Sequence, residues 1–171
     1  MPTSNGRAPQ PCIHKALLYI NDTDLFLDEA DKAVEVMQAA FQEADVDLKD
    51  EIIFLLGTLD QPEICMWLHA ILADPAQTQS TRRNAALQLS VTAAALESPD
   101  ELRAILLADI NHPDSVVRRL AILALGWEGN QQSATEIARL TTDTDASVRQ
   151  AATAALSHIA QEPLDQHAKE G

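Results

Sequence analysis

Aromatic residues are scarce in this chain: one Tyr, two Trp and three Phe among 171 residues. Leu, Ile, Val and Ala must therefore fill its core. Cysteine is as sparse, at two, which excludes a disulfide framework and makes no demand for an oxidising compartment. Only five glycines occur, with no Gly-rich phosphate loop and no G-x-S-x-G turn among them. Basic residues are few, 12 Lys and Arg against 26 Asp and Glu, for a formal net charge of −14. That balance repels nucleic-acid backbones and anionic lipid surfaces, and suits basic partners or plain solubility. No apolar run approaches the ~20 residues of a membrane helix. Met1–Pro11 is polar and contains Pro, unlike a signal peptide. The expectation is a soluble cytoplasmic protein with neither membrane nor nucleic acid as partner.

What the chain does have is a repeat. From Asp114 it reads D-S-V-V-R-R-L-A-I-L-A-L-G, and the same frame returns from Asp145 as D-A-S-V-R-Q-A-A-T-A-A-L-S. Earlier copies start at Asp45, D-V-D-L-K-D-E-I-I-F-L-L-G, and at Thr78, T-Q-S-T-R-R-N-A-A-L-Q-L-S. The anchors Leu48, Thr81, Val117 and Val148 lie 33, 36 and 31 residues apart. Each is followed directly by a base (Lys49, Arg82, Arg118, Arg149), and each base is followed seven residues later by Leu56, Leu89, Leu125 or Leu156. Four copies in register at such a period mark a repeat architecture.

Each unit reads as two helices. The second starts after a capping side chain, Asp45, Thr78, Asp114 or Asp145, that can accept from free backbone N–H groups. It then carries apolar residues at helical spacing, as in Val117, Leu120, Ala121, Ala124 and Leu125. Gly57 and Gly126 near its end are expected to stop it in the left-handed conformation. The first helix of the following pair is predicted at Pro62–Ala73, Pro99–Asp109 and Gln131–Thr142, two of which open with a Pro suited to a first turn. In the N-terminal third, Asp24–Ala44 is expected as one long helix. Ile13–Ile20 before it serves as half a repeat, hiding the outer face of the array. This predicts one domain over 12–161, with an atypical cap at 12–44, regular repeats over 45–160, and loose tails at 1–11 and 162–171.

These residues resemble the HEAT repeat, in particular the short HEAT-like type of phycobilin-lyase subunits, whose pattern is a helix followed by roughly D-P-x-x-V-R-x-x-A-x-x-A-L-G. Asp114, Val117, Arg118, Ala121, Ala124, Leu125 and Gly126 match it best, and Asp145, Val148, Arg149, Ala152, Ala155 and Leu156 nearly as well. The copy at Thr78 lacks the Asp and the Gly, and the copy at Asp45 has Lys49 for Arg. The resemblance covers about Asp45–Ala160. It implies an all-α fold: a right-handed α-solenoid (an α-α superhelix) of about four helical pairs whose second helices line a concave face. It implies no single function, because such repeats serve as scaffolds, adaptors and enzyme subunits. Stacking is expected to bring the base of one unit near the Asp of the next. The result is a structural ladder of Asp45, Lys49, Arg82, Asp114, Arg118, Asp145 and Arg149.

Catalytic and metal constellations are missing. The di-iron hydroxylases built on HEAT repeats use His-Glu pairs, and none of the five His precedes a Glu. Cys65 and His69 share a helix face, but structural zinc wants four ligands and no second pair lies at suitable spacing. Packing accounts for them. Asn21-Asp22-Thr23-Asp24 fails as a calcium loop, since Phe26, Leu27 and Ala33 stand where a ligand, a Gly and a Glu are needed; helix capping explains it better. No cofactor is expected. HEAT-like DNA glycosylases need a basic concave face, which a net charge of −14 does not favour. Charge is concentrated: Asn21–Glu51 holds eleven acids and two bases. It reads either as a docking face for a basic partner or as a solvated helix face.

One position departs from the family pattern. Two residues before the conserved Leu of each second helix, where the family usually has a polar residue facing the concave side, stand Phe54, Leu87, Leu123 and Ala154. Four residues before them lie Asp50, Arg83, Arg119 and Gln150, and four after lie Thr58, Val91, Trp127 and His158, on the same helix face. A groove with an apolar floor and a polar lip follows, with Asp50, Phe54, Arg83, Leu87, Val91, Arg119, Leu123, Trp127 and His158 as partner-binding residues. The groove is either free for a protein or peptide, or covered by a homodimer or the tails. The function expected is a non-catalytic interaction scaffold. The alternative, from the repeat type alone, is a subunit of a bilin lyase or another cofactor-attachment enzyme.

Overall fold

The computed structural model describes residues 11–95, 100–128 and 131–167. Among them lie ten α-helices and no strand. They are α1 Pro11–Asn21, α2 Thr23–Asp28, α3 Ala30–Phe41, α4 Val46–Leu56, α5 Pro62–Ala73, α6 Gln79–Ala95, α7 Asp100–Asp109, α8 Ser115–Glu128, α9 Gln131–Arg139 and α10 Ala146–His167, with a 3₁₀ turn Leu140–Thr142 after α9. The contacts divide the chain into two compact units at Leu56/Gly57. This cut lies one helix beyond Ala44, where the cap was expected to end. The expected N-terminal tail, except Pro11, and the last four residues, 168–171, lie outside the described residues.

In the first unit α1 packs on α3 and α4, and α3 on α4. Ala16, Tyr19, Phe26, Ala33, Met37, Ala40 and Phe41 are buried, a helical spacing on each element. The long helix expected over Asp24–Ala44 is broken. Glu29 leaves the helical region, at φ −112° and ψ 30°, and separates α2 from α3. The cause is tertiary. Glu29 Oε2 accepts from the buried Tyr19 hydroxyl at 2.6 Å and pairs with Lys15 at 3.3 Å and Lys32 at 3.4 Å. Lys32 thus turns to Glu29, and Asp28 lies on a different helix from Asp31 and Glu35. Asp22 caps α2 by accepting from the Leu25 N–H at 3.0 Å.

The second unit is a stack of helical pairs. α5 packs on α6, α7 on α8 and α9 on α10, while α6, α8 and α10 pack side by side in that order. Each of these inner helices starts at its predicted cap. Thr78 Oγ1 accepts from the Thr81 N–H at 3.1 Å, Asp114 Oδ1 from Val116 at 2.8 Å, and Asp145 Oδ1 from Ser147 at 2.8 Å. Asp45 does the same for α4 in the first unit, accepting from Leu48 at 3.0 Å. The anchors Thr81, Val117 and Val148 are fully buried, as are Leu89 and Leu125; burying one Leu contributes about 1.5–3 kcal/mol.

Small residues set the spacing of the inner layer. Ala85, Ala86, Ala121, Ala124, Ala152 and Ala155 are buried on it. Gly126 continues this pattern and does not stop its helix. It lies inside α8 without a left-handed φ, and a Cβ there would meet the Ala155 Cβ at 2.6 Å. Gly57 has no left-handed φ either, and a Cβ would run into the Gln88 side chain. At Gly126 the close approach of the Ala155 backbone, not helix termination, is what requires glycine; at Gly57 the neighbour is the Gln88 side chain.

Candidate functional site

The arginine after each anchor of the second unit turns its guanidinium onto loop carbonyls or carboxylates. Arg118 Nη1 donates to the carbonyls of His112 and Pro113 at 2.8 and 3.0 Å, bracing the loop before its own helix. Arg149 repeats this on Asp143 and Thr144 at 2.7 and 3.0 Å. The remaining donors reach the next repeat. Arg82 Nη2 meets Asp114 Oδ2 at 3.2 Å, and Arg118 grips both carboxylate oxygens of Asp143 at 3.0 and 2.9 Å. Arg118 thus engages Asp143, two residues before the expected Asp145. Asp145 is spent on its own helix start. In the first unit Lys49 Nζ sits over the Phe41 ring, 4.9 Å from its centroid.

Charge and hydrogen bonding tune these carboxyls. The Arg118 guanidinium holds Asp143 below the usual carboxylate range, and Asp143 in turn raises Arg118. Backbone donation from Val116, then the Arg82 hydrogen bond, lowers Asp114. Asp145 falls to about 2, chiefly through the Ser147 hydroxyl. These groups bind one another and brace the loops, and Arg118 and Asp143 also line an open hollow with His112, Arg139, Thr142 and Thr144.

The Cys65–His69 face is also packing. Cys65 is buried, and burial pushes its thiol up to about 11, away from nucleophilic use. His69 Nε2 lies 2.6 Å from Asp109 Oδ2, tying α5 to α7. Forty residues separate the two, so no local pattern announces the contact. The same holds for Gln88 and Thr92, whose side chains both donate to the Gly57 carbonyl, at 3.1 and 2.8 Å. Among the described residues no group of three or more His, Cys, Asp or Glu could hold a metal ion. No helix among them is long and apolar enough to cross a membrane.

The opposite face of the inner helices carries apolar groups that reach water. On α6, Val91 is 62% exposed and Leu87 half-buried. On α8, Trp127 is 54% exposed and Leu123 half-buried. On α10, Ala154 is exposed and His158 half-buried. Leu123, Gly126, Trp127, Ala151, Ala154, Ala155 and His158 line one hollow of about 220 Å³ between α8 and α10. The Trp127 and His158 rings stand 5.1 Å apart at 43°, and His158 Nδ1 lies 3.1 Å from the Gly126 carbonyl oxygen, which orients the imidazole. Arg83 is exposed and Arg119 half-buried, one turn before Leu87 and Leu123. Asp50 and Phe54 belong to the first unit; Phe54 is 66% exposed, and Asp50 keeps one buried oxygen without a hydrogen bond.

Residues 99–168 match the family model of HEAT repeats. That region resembles an array of HEAT repeats, and the described residues are all-α, with stacked helical pairs in the second unit. No curated protein matches the chain. HEAT repeats commonly mediate protein–protein interaction.

Proposed function

We propose that the chain is a non-catalytic interaction module that binds a protein or peptide segment along the outward face of α6, α8 and α10. The observation that carries this reading is the row of exposed and half-buried apolar side chains on neighbouring helices. Leu87, Val91, Leu123 and Trp127 repeat at one helix face instead of scattering, and they lead into the hollow beside His158. Isolated exposed apolar residues need no explanation, but a contiguous patch with an exposed Trp has the character of an interface anchor. The family's common role in binding other proteins supports it.

The test is comparative capture from source-cell lysate by the full chain and by a Leu87→Glu, Leu123→Glu variant. Both positions are partly exposed, so the helical far-ultraviolet spectrum should persist. Loss of the captured proteins in the variant is expected. Retention of every one of them would remove this surface from the function.

A further inference from the structure

Arg83 and Arg119 occupy the same position in successive repeats, each directly after a ladder arginine. The neighbours differ in what they do. Arg82 and Arg118 turn inward onto Asp114 and Asp143. Arg83 and Arg119 have no hydrogen-bond or ion-pair partner among the described residues. That is unusual company for an arginine in a chain with 26 acidic and 12 basic residues. The sequence of the layer shows why. α6 contains no Asp or Glu, α8 has only Glu128 at its last position, and α10 has none before Glu162. Asp74, the nearest acid in sequence to Arg83, accepts from Ala76 and Gln77, and Asp114, nearest to Arg119, is taken by Arg82 and its own helix cap, as Asp143 and Asp145 are by Arg118 and the next cap. So the inner layer carries a local positive field on a strongly negative protein. Its uncommitted guanidinium groups stand one turn from Leu87 and Leu123.

We infer that the occupant of this surface is an acidic segment of another protein, with two carboxylates that reach Arg83 and Arg119 and an apolar side chain that enters the hollow beside Trp127. The inference rests on the interaction reading above and gives its partner a chemistry. Packed helices lie about 8–10 Å apart, so the two carboxylates should be spaced by about that distance. Guanidinium and carboxylate meet in two parallel hydrogen bonds, which fixes orientation as well as charge. A basic partner drawn to the acidic stretch Asn21–Glu51 would be a separate contact.

Selection of short peptides from a random displayed library, on the full chain, tests this. Peptides rich in Asp and Glu with a Leu, Ile or Phe are expected. Their affinity should fall roughly tenfold or more in an Arg83→Glu, Arg119→Glu variant, fall less in Arg83→Gln, Arg119→Gln, and decline as salt rises. Neutral or basic peptides that need Leu87 and Leu123 but ignore Arg83 and Arg119 would overturn the inference and leave the interaction reading standing. Peptides indifferent to both pairs of substitutions, or no selected peptide at all, would count against both. Competition by a single-stranded oligonucleotide that depends on the two arginines would overturn the inference in favour of nucleic acid. Self-association in sedimentation that depends on them would overturn it in favour of a second copy.

Discussion

Glu29 gathers three neighbours at one oxygen: the Tyr19 hydroxyl, Lys15 and Lys32. The Tyr19 hydrogen bond first, then that of Lys15, lowers the Glu29 carboxyl to about 2. Burial and the adjacent Glu29 raise the Tyr19 hydroxyl in turn. A carboxyl whose folded value lies below its unfolded value stabilises the fold above the unfolded value and loses that contribution as pH falls. Glu29 and Asp145, both near 2, should therefore weaken the fold progressively as pH drops from about 4.5 to about 2. Urea midpoints measured across that window should fall, and Glu29→Gln should lower the neutral-pH midpoint while flattening the acid slope. A different carboxylate behaves oppositely. Asp31 and Glu35 are four apart on α3, both exposed, and like charges at that spacing cost about 0.2–0.5 kcal/mol. Asp31 lies in the first turn, where a negative charge is favourable, so Glu35→Gln is the cleaner relief. It should raise the melting temperature slightly.

Between elements, Gly126 and the Arg118–Asp143 pair set how α8 meets its neighbours. Helix propensity alone makes Gly126→Ala stabilising by about 1 kcal/mol. The added Cβ would lie 2.6 Å from Ala155 Cβ and 3.0 Å from its Cα, contacts that flexible side chains cannot absorb. Overpacking of this kind costs about 1–3 kcal/mol, so a lowered melting temperature is expected despite the better propensity. The Arg118–Asp143 pair is largely shielded from water and doubly hydrogen-bonded. Removing Asp143 leaves a half-buried guanidinium without its carboxylate, and Asp143→Ala should cost about 1.5–3 kcal/mol by chemical denaturation. Arg118→Lys should recover only part, because an ammonium cannot span both oxygens and two loop carbonyls together.

At the scale of the whole molecule, charge governs behaviour more than shape. The formal charge of −14 and isoelectric point near 4.5 make copies repel one another at neutral pH. Solubility followed by light scattering should pass through a minimum near that isoelectric point. The acid weakening of Glu29 and Asp145 overlaps the same range, so aggregation there should be steeper than net charge alone predicts. The double substitution Glu29→Gln with Asp143→Ala should be close to additive, since the residues lie in different compact units with no shared partner.

The period of the anchors, the capping residues and the apolar spacing within each helix are local quantities, and they sufficed to place α4 to α10 to within a residue or two at the starts of the inner helices. Local spacing also put Leu87, Leu123 and Trp127 on one outward face, because residues four apart share a face in any helix. It failed where a distant group competes with local preference. The stretch Asp24–Ala44 has the periodicity of one helix, yet Tyr19 and Lys15 from α1 hold Glu29 out of helical geometry. The roles of Gly57 and Gly126 were misread for the same reason. A glycine near a helix end has a ready local explanation, while the side chains of Gln88 and Ala155 that need its bare backbone arrive from another helix. The choice of Asp143 over Asp145 for Arg118, the His69–Asp109 tie and the hollow beside His158 are likewise products of how one helical pair sits on the next. Composition and period settle that such pairs form and stack; the register of stacking, decided by side-chain volume and by which donors reach which carbonyls, settles which groups meet.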